Sequence, residues 1–165
     1  MKKLALYIHV PFCVQKCLYC DFLSMPASEN VQEQYISALT GELEYWRGEL
    51  EGQYELGSIF IGGGTPTVLK PELLLQIGEV LQGFSSVPGM EFTIEANPGT
   101  LTLEHIPAMQ SIGVNRISLG LQSAQEQELQ MLGRIHTYQD FVESYRLLQE
   151  HGFQNINIDL MSDIP

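Results

Sequence analysis

The sequence predicts an α/β fold in which a curved parallel β-sheet carries helices on one face. Short apolar segments alternate with longer stretches whose apolar residues recur every three to four positions, which is the pattern of successive βα units. Within four of the apolar segments, apolar and polar residues also alternate, so one face of the sheet is apolar and the other is polar. A partial barrel with a polar concave face explains both observations. The alternative is an open sheet whose polar face meets solvent.

The first half of the chain contains three predicted strands and two predicted helices. The strands are expected at residues 4–9, 58–61 and 91–95. Asn30 and Glu33 resemble a capping box at the start of a long helix with one apolar stripe. Pro71 suits the first turn of the next helix. The third strand is expected to end at the turn formed by residues 97–99, Asn-Pro-Gly.

The second half repeats the alternation. A helix from about Leu103 is expected to stop at Gly113, a position suited to a left-handed cap. Residues 115–121 form the fourth predicted strand, and a short helix follows up to Gly133. A longer helix around Phe141 ends at Gly152, and residues 155–160 form the fifth strand.

Composition indicates one globular domain and limits the possible partners. Hydrophobic residues make up 44% of the 165 positions, and the net charge is −12. This charge disfavours binding to nucleic acid or anionic lipid. No apolar run approaches the roughly 20 residues that span a bilayer. The N-terminal apolar run is interrupted at His9 and Pro11 without a cleavage site, so we expect a cytoplasmic protein with reduced thiols.

All three cysteines lie within eight residues, at positions 13, 17 and 20. Thiolates are soft ligands for zinc or iron–sulfur clusters, and three of them leave a four-coordinate metal one ligand short. An open coordination position suits a reactive cluster better than a purely structural site. The alternative is that Cys13, Cys17 and Cys20 are small buried residues on one face of a helix.

Polar or small residues are predicted at the C-terminal ends of the strands, where parallel α/β folds place their binding sites. These positions are His9, Gly63, Glu95, Gln122 and Asp159. Plainer structural explanations exist for several residues of this region. Glu95 could cap the turn at Asn97, Arg134 could bind helix carbonyls near Gly133, and the glycine run could serve only as a tight turn.

These motifs resemble the radical S-adenosylmethionine (SAM) superfamily. The cysteines match its C-x3-C-x2-C signature, and residues 62–67, Gly-Gly-Gly-Thr-Pro-Thr, match its glycine-rich stretch after the second strand. Residues 7–13, Tyr-Ile-His-Val-Pro-Phe-Cys, are similar to the oxygen-independent coproporphyrinogen III oxidase family. The resemblance covers residues 4–165. It implies a partial (β/α)6 TIM-like barrel of the radical SAM type, with about five βα units in one core domain over residues 1–165.

The resemblance implies a [4Fe–4S] cluster on Cys13, Cys17 and Cys20, with SAM chelating the fourth iron. In that superfamily an electron from the cluster cleaves SAM to methionine and a 5′-deoxyadenosyl radical. The cofactors supply this chemistry, while the protein orients them and excludes side reactions. An electron donor such as flavodoxin or ferredoxin is implied as a partner.

The resemblance also implies SAM-binding positions in the first half of the chain. Tyr7 matches a SAM-contacting tyrosine before the cysteines, and Tyr19 matches the aromatic residue near the adenine. Gly63, Gly64 and Thr65 match the glycine-rich contacts. Glycine there allows the backbone to approach the methionyl end of SAM, which a side chain would prevent.

Four further positions carry the same implication. Glu95 matches an acidic ligand for the amino group or a ribose hydroxyl of SAM. Gln122, Arg134 and Asp159 match nucleoside-binding positions, where the porphyrinogen oxidases hold a second SAM.

Two features separate this chain from the true oxidases. The oxidases carry Cys-Gly-Cys where this chain has Cys20-Asp21-Phe22, and they have an extension before the first strand. Both features match the branch of oxidase-like proteins that act as heme chaperones and carry heme to membrane respiratory enzymes. We therefore expect a heme chaperone on a radical SAM core. The alternative is an enzyme that oxidatively decarboxylates coproporphyrinogen III to protoporphyrinogen IX.

Two expectations lie outside this choice. An alternative from another class is a zinc-stabilised module, with the three cysteines and His9 as ligands. In addition, the family's barrel has six βα units, whereas this sequence ends after its fifth strand. We therefore expect an open barrel edge with unpaired strand groups and exposed apolar surface.

Overall fold

The computed structural model describes residues 1–164, in which parallel strands alternate with helices. The strands are β1 (Lys2–Val10), β2 (Tyr54–Gly63), β3 (Ser86–Ala96), β4 (Arg116–Gln122) and β5 (Ile156–Leu160). The helices are α1 (Glu29–Leu50), α2 (Pro71–Leu81), α3 (His105–Ser111), α4 (Glu126–Met131) and α5 (Tyr138–Glu150), with a short 3-10 helix at Pro66–Val68. The predicted elements are all present, and most strands extend beyond their predicted bounds.

The five strands form one parallel sheet in the order β1-β2-β3-β4-β5. The register aligns five isoleucines in one row across the sheet, namely Ile8, Ile61, Ile94, Ile117 and Ile156. The first four of these side chains are at most 2% exposed. Sequential strand order and a buried row of branched side chains are the arrangement of a barrel wall, so the predicted α/β fold is confirmed.

The helices cover the convex face of the sheet. Ile36 of α1, Ile77 of α2 and Met109 of α3 are completely buried, and they join one hydrophobic core with the sheet. The opposite face carries the polar residues of the alternation and faces the concave side. No helix within residues 1–164 is both long and apolar enough to cross a membrane.

The predicted capping box at Asn30 and Glu33 is wrong. Helix α1 begins two residues earlier than such a box requires, at Glu29, with Ser28 at the N-cap and without a side-chain cap bond. A capping box forms instead at α5, where Thr137 accepts a hydrogen bond from the Asp140 N–H and the Asp140 carboxylate accepts one from the Thr137 N–H.

Strand β5 differs from the predicted pattern of a covered apolar face. Ile158 is 39% exposed and Leu160 is 66% exposed, whereas Ile156 still packs against the hydrophobic core. β1 and β5 are also the two edges of the sheet. The expected open barrel edge is present, and the barrel is partial.

Candidate functional site

A cavity of about 390 Å³ lies at the C-terminal edge of the sheet. Residues from six segments of the chain line it. The loop after β1 contributes Cys13, Gln15, Cys17, Tyr19, Cys20, Phe22 and Ser24. The turn after β2 contributes Gly63, Gly64 and Thr65, and the remaining strands and the α4–α5 connection contribute Glu95, Ala96, Asn97, Ser118, Gly120, Gln122, Arg134 and Asp159. All the predicted site residues except Tyr7 and His9 therefore meet at one cavity.

The loop of residues 11–28, here called the cysteine loop, is irregular. The Cys13 N–H donates to the Met25 carbonyl at 3.2 Å, and the Met25 N–H donates to the Pro11 carbonyl at 3.0 Å. The three cysteines are free and partly exposed. The alternative of three buried cysteines on one helix face is therefore wrong.

The geometry gives no support to a single zinc ion on these cysteines. A zinc–thiolate bond is about 2.3 Å long, so zinc requires its ligands close together. Within residues 1–164, no three His, Cys, Asp or Glu side chains are gathered in this way. A cubane cluster has its metals at separate corners and accepts more widely spaced thiolates, and thus the donor set of three soft ligands around one cavity fits a cluster.

His9, the fourth zinc ligand of that alternative, is already engaged at both ring nitrogens. Its Nε2 lies 2.9 Å from the Leu23 carbonyl oxygen, which can only accept, so this nitrogen carries the proton. Nδ1 then accepts from the Tyr7 hydroxyl at 3.1 Å. Burial and the nearby charge of Glu95 raise the pKa of Tyr7. Tyr7 therefore contacts the cysteine loop through His9 but does not line the cavity.

The turn at residues 62–67, here called the glycine turn, is packed against the start of the cysteine loop. The Gly64 N–H donates to the Val10 carbonyl at 2.8 Å, and the Thr65 N–H donates to the Phe12 carbonyl at 2.7 Å. A Cβ atom on Gly64 would lie 2.5 Å from the Phe12 carbonyl oxygen. Glycine is therefore required here by contact with the backbone.

Glu95 at the end of β3 joins the glycine turn to the cavity. Its Oε2 accepts a hydrogen bond from the Gly63 N–H at 2.9 Å. Burial raises the pKa of Glu95, and the charge of Asp159 adds to this shift, whereas the Gly63 hydrogen bond and His9 oppose it. Glu95 does not cap the following turn, since the Gly99 N–H donates to the side chain of Asn97 itself.

Asp159 of β5 is held by two neighbours on the concave face. Its Oδ2 accepts from the Ser118 hydroxyl at 2.9 Å, and its Oδ1 accepts from the Asn157 amide at 2.7 Å. Asn157 was not predicted as a site residue, although strand alternation places it on the same face as Asp159. On β4, Gln122 has a φ of +70°, a left-handed conformation that is rare for residues other than glycine.

Arg134 lies between the cysteine loop and β4. Its guanidinium donates to the Gly120 carbonyl at 2.9 Å, and Nη1 lies 3.3 Å from the Tyr19 hydroxyl and 3.5 Å from the Cys17 sulfur. Arg134 therefore does not bind the helix carbonyls near Gly133. Burial is the main cause that raises the pKa of Tyr19.

Several lining residues were missed by sequence reasoning. Ser118 and Gly120 carry a detectable signal, because they alternate with the buried apolar residues of β4. Gln15 and Ser24 lie in an irregular loop and share no spacing with the strands, so no sequence pattern identifies them.

Comparison with known proteins agrees with this geometry. The radical SAM superfamily matches residues 7–165. Heme chaperone HemW of Escherichia coli is 40% identical over 164 residues, which cover 98% of this chain and 43% of the relative. Heme chaperone HemW of Haemophilus influenzae is 38% identical over 168 residues, which cover 98% of this chain and 44% of the relative.

The solved structures give the same result. Coproporphyrinogen III oxidase HemN from Escherichia coli, described as a radical SAM enzyme, superposes with a TM-score of 0.88 at 26% identity. That match covers 99% of this chain and 38% of the oxidase. The chain thus spans less than half the length of each of these relatives. Because the superfamily match extends over nearly all its residues, the chain belongs to the radical SAM superfamily, whose cofactors are a [4Fe–4S] cluster and SAM.

Proposed function

We propose that Cys13, Cys17 and Cys20 hold a [4Fe–4S] cluster at the mouth of the cavity. All three are free, partly exposed and on one wall of it. Three thiolates leave one iron without a protein ligand, so that SAM can bind it. The cluster and SAM, when bound, supply one-electron chemistry; the residues of the chain bind, orient and shield them.

The glycine turn and Glu95 would hold the methionyl part of SAM. Gly63, Gly64 and Thr65 offer backbone groups at the cavity wall without intervening carbon side chains. Glu95 is fixed by the Gly63 N–H and carries a raised pKa. An ammonium group next to this carboxylate would stabilise its ionised form, so binding of SAM would lower the pKa of Glu95.

The nucleoside would lie toward the other wall of the cavity. Asp159 presents a fixed carboxylate able to accept from ribose hydroxyls, and Gln122 and Arg134 flank it. Tyr19 offers a partly exposed ring to the adenine. Tyr7 would act through His9, since it lies outside the cavity lining.

We propose that the protein is a heme chaperone that binds SAM and transfers heme to respiratory enzymes of the membrane. The observation that carries the SAM-binding part of this proposal is the meeting of the three cysteines, the glycine turn and Glu95 at one cavity. The relatives named heme chaperones favour this function within the superfamily. Flavodoxin or ferredoxin is the proposed electron donor, and the free cysteines support a reducing compartment such as the cytoplasm.

A second candidate is the oxidative decarboxylation of coproporphyrinogen III to protoporphyrinogen IX. The TM-score of 0.88 to coproporphyrinogen III oxidase favours it. The residues after the third cysteine, Asp21 and Phe22, differ from the Cys-Gly-Cys segment of the oxidases.

The decisive experiment is anaerobic reconstitution with iron and sulfide, followed by parallel heme-binding and porphyrinogen assays. We expect the absorbance of a [4Fe–4S] cluster, tight heme binding and no turnover of coproporphyrinogen III. Formation of protoporphyrinogen IX would refute the proposed chaperone function and support the oxidase activity.

The ligand assignment is tested in the same preparation with Cys17→Ala, which should lose the cluster. Leu18→Ala is the matched control, because Leu18 is 80% exposed in the same loop and lines no part of the cavity. An intact cluster in Cys17→Ala would refute the assignment.

A further inference from the structure

Arg134 is the residue of the α4–α5 connection that reaches the cysteine loop. Its N–H groups are divided among the Cys17 sulfur, the Tyr19 hydroxyl and the Gly120 carbonyl. The remaining nitrogen, Nε, is buried and has no hydrogen-bond partner within residues 1–164. An arginine in a binding pocket usually forms a two-pronged pair with a carboxylate. Arg134 instead contacts a sulfur.

The charge of Arg134 has no carboxylate partner in the described part of the chain. The side-chain ion pairs there join Lys70 with Glu29 and Arg116 with Glu91, both away from the cavity. A half-buried cation is stabilised by an anion in contact with it. In the structure the guanidinium contacts the Cys17 sulfur, which becomes a thiolate when it ligates a metal.

The backbone around Arg134 holds the guanidinium in this place. The Leu18 N–H donates to the Leu132 carbonyl at 3.0 Å, and the Gln15 amide donates to the Gly133 carbonyl at 3.2 Å. Gly133 has a φ of +70°, and a Cβ atom on it would lie 3.0 Å from the Leu18 side chain. The cysteine loop and residues 132–134 are therefore in close contact on both sides of Cys17.

We infer that Arg134 is a positioning residue for the cluster, which sets its reduction potential through an N–H···S hydrogen bond and a positive charge at the Cys17 sulfur. The inference rests on the proposed cluster at Cys13, Cys17 and Cys20. Hydrogen bonds to ligand sulfurs and nearby positive charge stabilise the reduced state, which carries one more negative charge, and so raise the potential. Arg134 thereby eases transfer of an electron from the donor to the cluster.

The test compares Arg134→Met, Arg134→Gln and Arg146→Met in reconstituted protein without SAM. Arg134→Gln keeps an N–H donor without the charge. Arg146→Met removes the same charge from an exposed position on α5 and is the control for net charge. The potential is measured by redox titration followed by the paramagnetic resonance of the reduced cluster.

We expect Arg134→Met to lower the ratio of reduced to oxidised cluster about tenfold at fixed applied potential, a shift of about −59 mV for one electron. Arg134→Gln should shift less, and Arg146→Met should match the wild type. If Arg134→Met fails to assemble a cluster, the reduction potential of Arg134→Gln is compared with that of Arg146→Met instead. A lower potential in Arg134→Gln then supports the inference.

Potentials of the Arg134 variants equal to that of Arg146→Met would overturn the inference, even if their affinity for SAM falls. Such a result would leave Arg134 as a SAM contact alone. Failure of the proposed function is distinguishable, since in that case the wild-type protein itself would assemble no cluster.

Discussion

The two loops that meet at the cavity are held in opposite ways. In and beside the glycine turn, Thr67 is 2% exposed and Leu69 is completely buried. In the cysteine loop, Leu18 is 80% exposed and Leu23 is 76% exposed. The glycine turn is thus part of the core, whereas much of the cysteine loop is held by hydrogen bonds to its surroundings.

This difference separates what the fold supplies from what a cofactor adds. Packing fixes the backbone groups of the glycine turn before any ligand binds, which lowers the cost of binding there. Between Cys13 and Met25 the cysteine loop has no buried apolar side chain, so binding of a cluster can contribute a large share of the order there. The following predictions test this contrast from the largest expected effect to the smallest.

Gly64→Ala should destabilise the protein by about 3 kcal/mol. Substitutions that overpack a core typically cost about 1–3 kcal/mol, and we expect the upper end because the new methyl group would meet a backbone atom. The new Cβ would lie 2.5 Å from the Phe12 carbonyl oxygen, which cannot move without displacing the cysteine loop. Urea denaturation at constant m-value measures the effect. Gly41→Ala in α1 is the control, because its Cβ meets nothing within 4 Å and alanine favours a helix by roughly 0.8–1.0 kcal/mol. Equal stability of Gly64→Ala and wild type would contradict the packed glycine turn.

Acid should destabilise the protein through His136, which binds the Leu121 carbonyl at the end of β4. Burial, with Arg134 adding to it, lowers the pKa of His136 to about 4 from its ordinary 6.5. The unfolded chain therefore binds the proton more readily, and stability present above pH 6.5 falls as the pH decreases toward 4. The loss reaches at most about 3 kcal/mol, at about 1.4 kcal/mol per pKa unit.

The control for the acid effect is His136→Gln. Glutamine can donate to the Leu121 carbonyl as the His136 Nε2 does at 3.2 Å, but it does not titrate. The difference between the two curves of unfolding free energy against pH isolates His136 from the carboxylates. Parallel curves between pH 6.5 and 4 would show that this histidine is not the titrating group.

The fold was largely predictable from the sequence because its apolar residues recur at the spacings of strands and helices. The isoleucine row and the stripe of α2 follow from residue spacing, and burial of these side chains leaves few alternatives. One expectation failed where periodicity was absent, because the capping box at Asn30 and Glu33 does not form and Ser28 is the N-cap. The exposed Ile158 and Leu160 of β5 agree with the expected open edge of the barrel.

The parts of the candidate site that consist of a sequence motif were predictable. The parts that depend on contacts between residues far apart in sequence were not. The cysteine spacing and the glycine run identified both loops that meet at the cavity. The contact of Arg134 with Cys17 joins residues 117 positions apart, and that separation leaves no periodic signal. The bonds of Asn157 and Ser118 to Asp159 likewise depend on the register between β4 and β5.

Gln122→Gly should be more stable than Gln122→Ala by about 1 kcal/mol, because a left-handed conformation costs side-chain-bearing residues about 1–2 kcal/mol. Both variants lack the amide in the cavity, so their difference reports the strain at φ +70° alone. Thermal unfolding of the two proteins measures it. If the two variants unfold alike, the end of β4 is not strained.

Cys17→Ala should have the smallest effect, less than about 0.5 kcal/mol, in metal-free protein, because substitutions outside the core rarely exceed this. Cys17 is partly exposed, and among residues 1–164 its sulfur accepts only the long contact from Arg134. Iron and sulfide should then stabilise the wild type and slow amide exchange in residues 14–24, with no change in Cys17→Ala. A large destabilisation of the metal-free variant would mean that the thiols already pack the loop. In that case order in the cysteine loop would come from the fold, as it does in the glycine turn, and the contrast between the two loops would be lost.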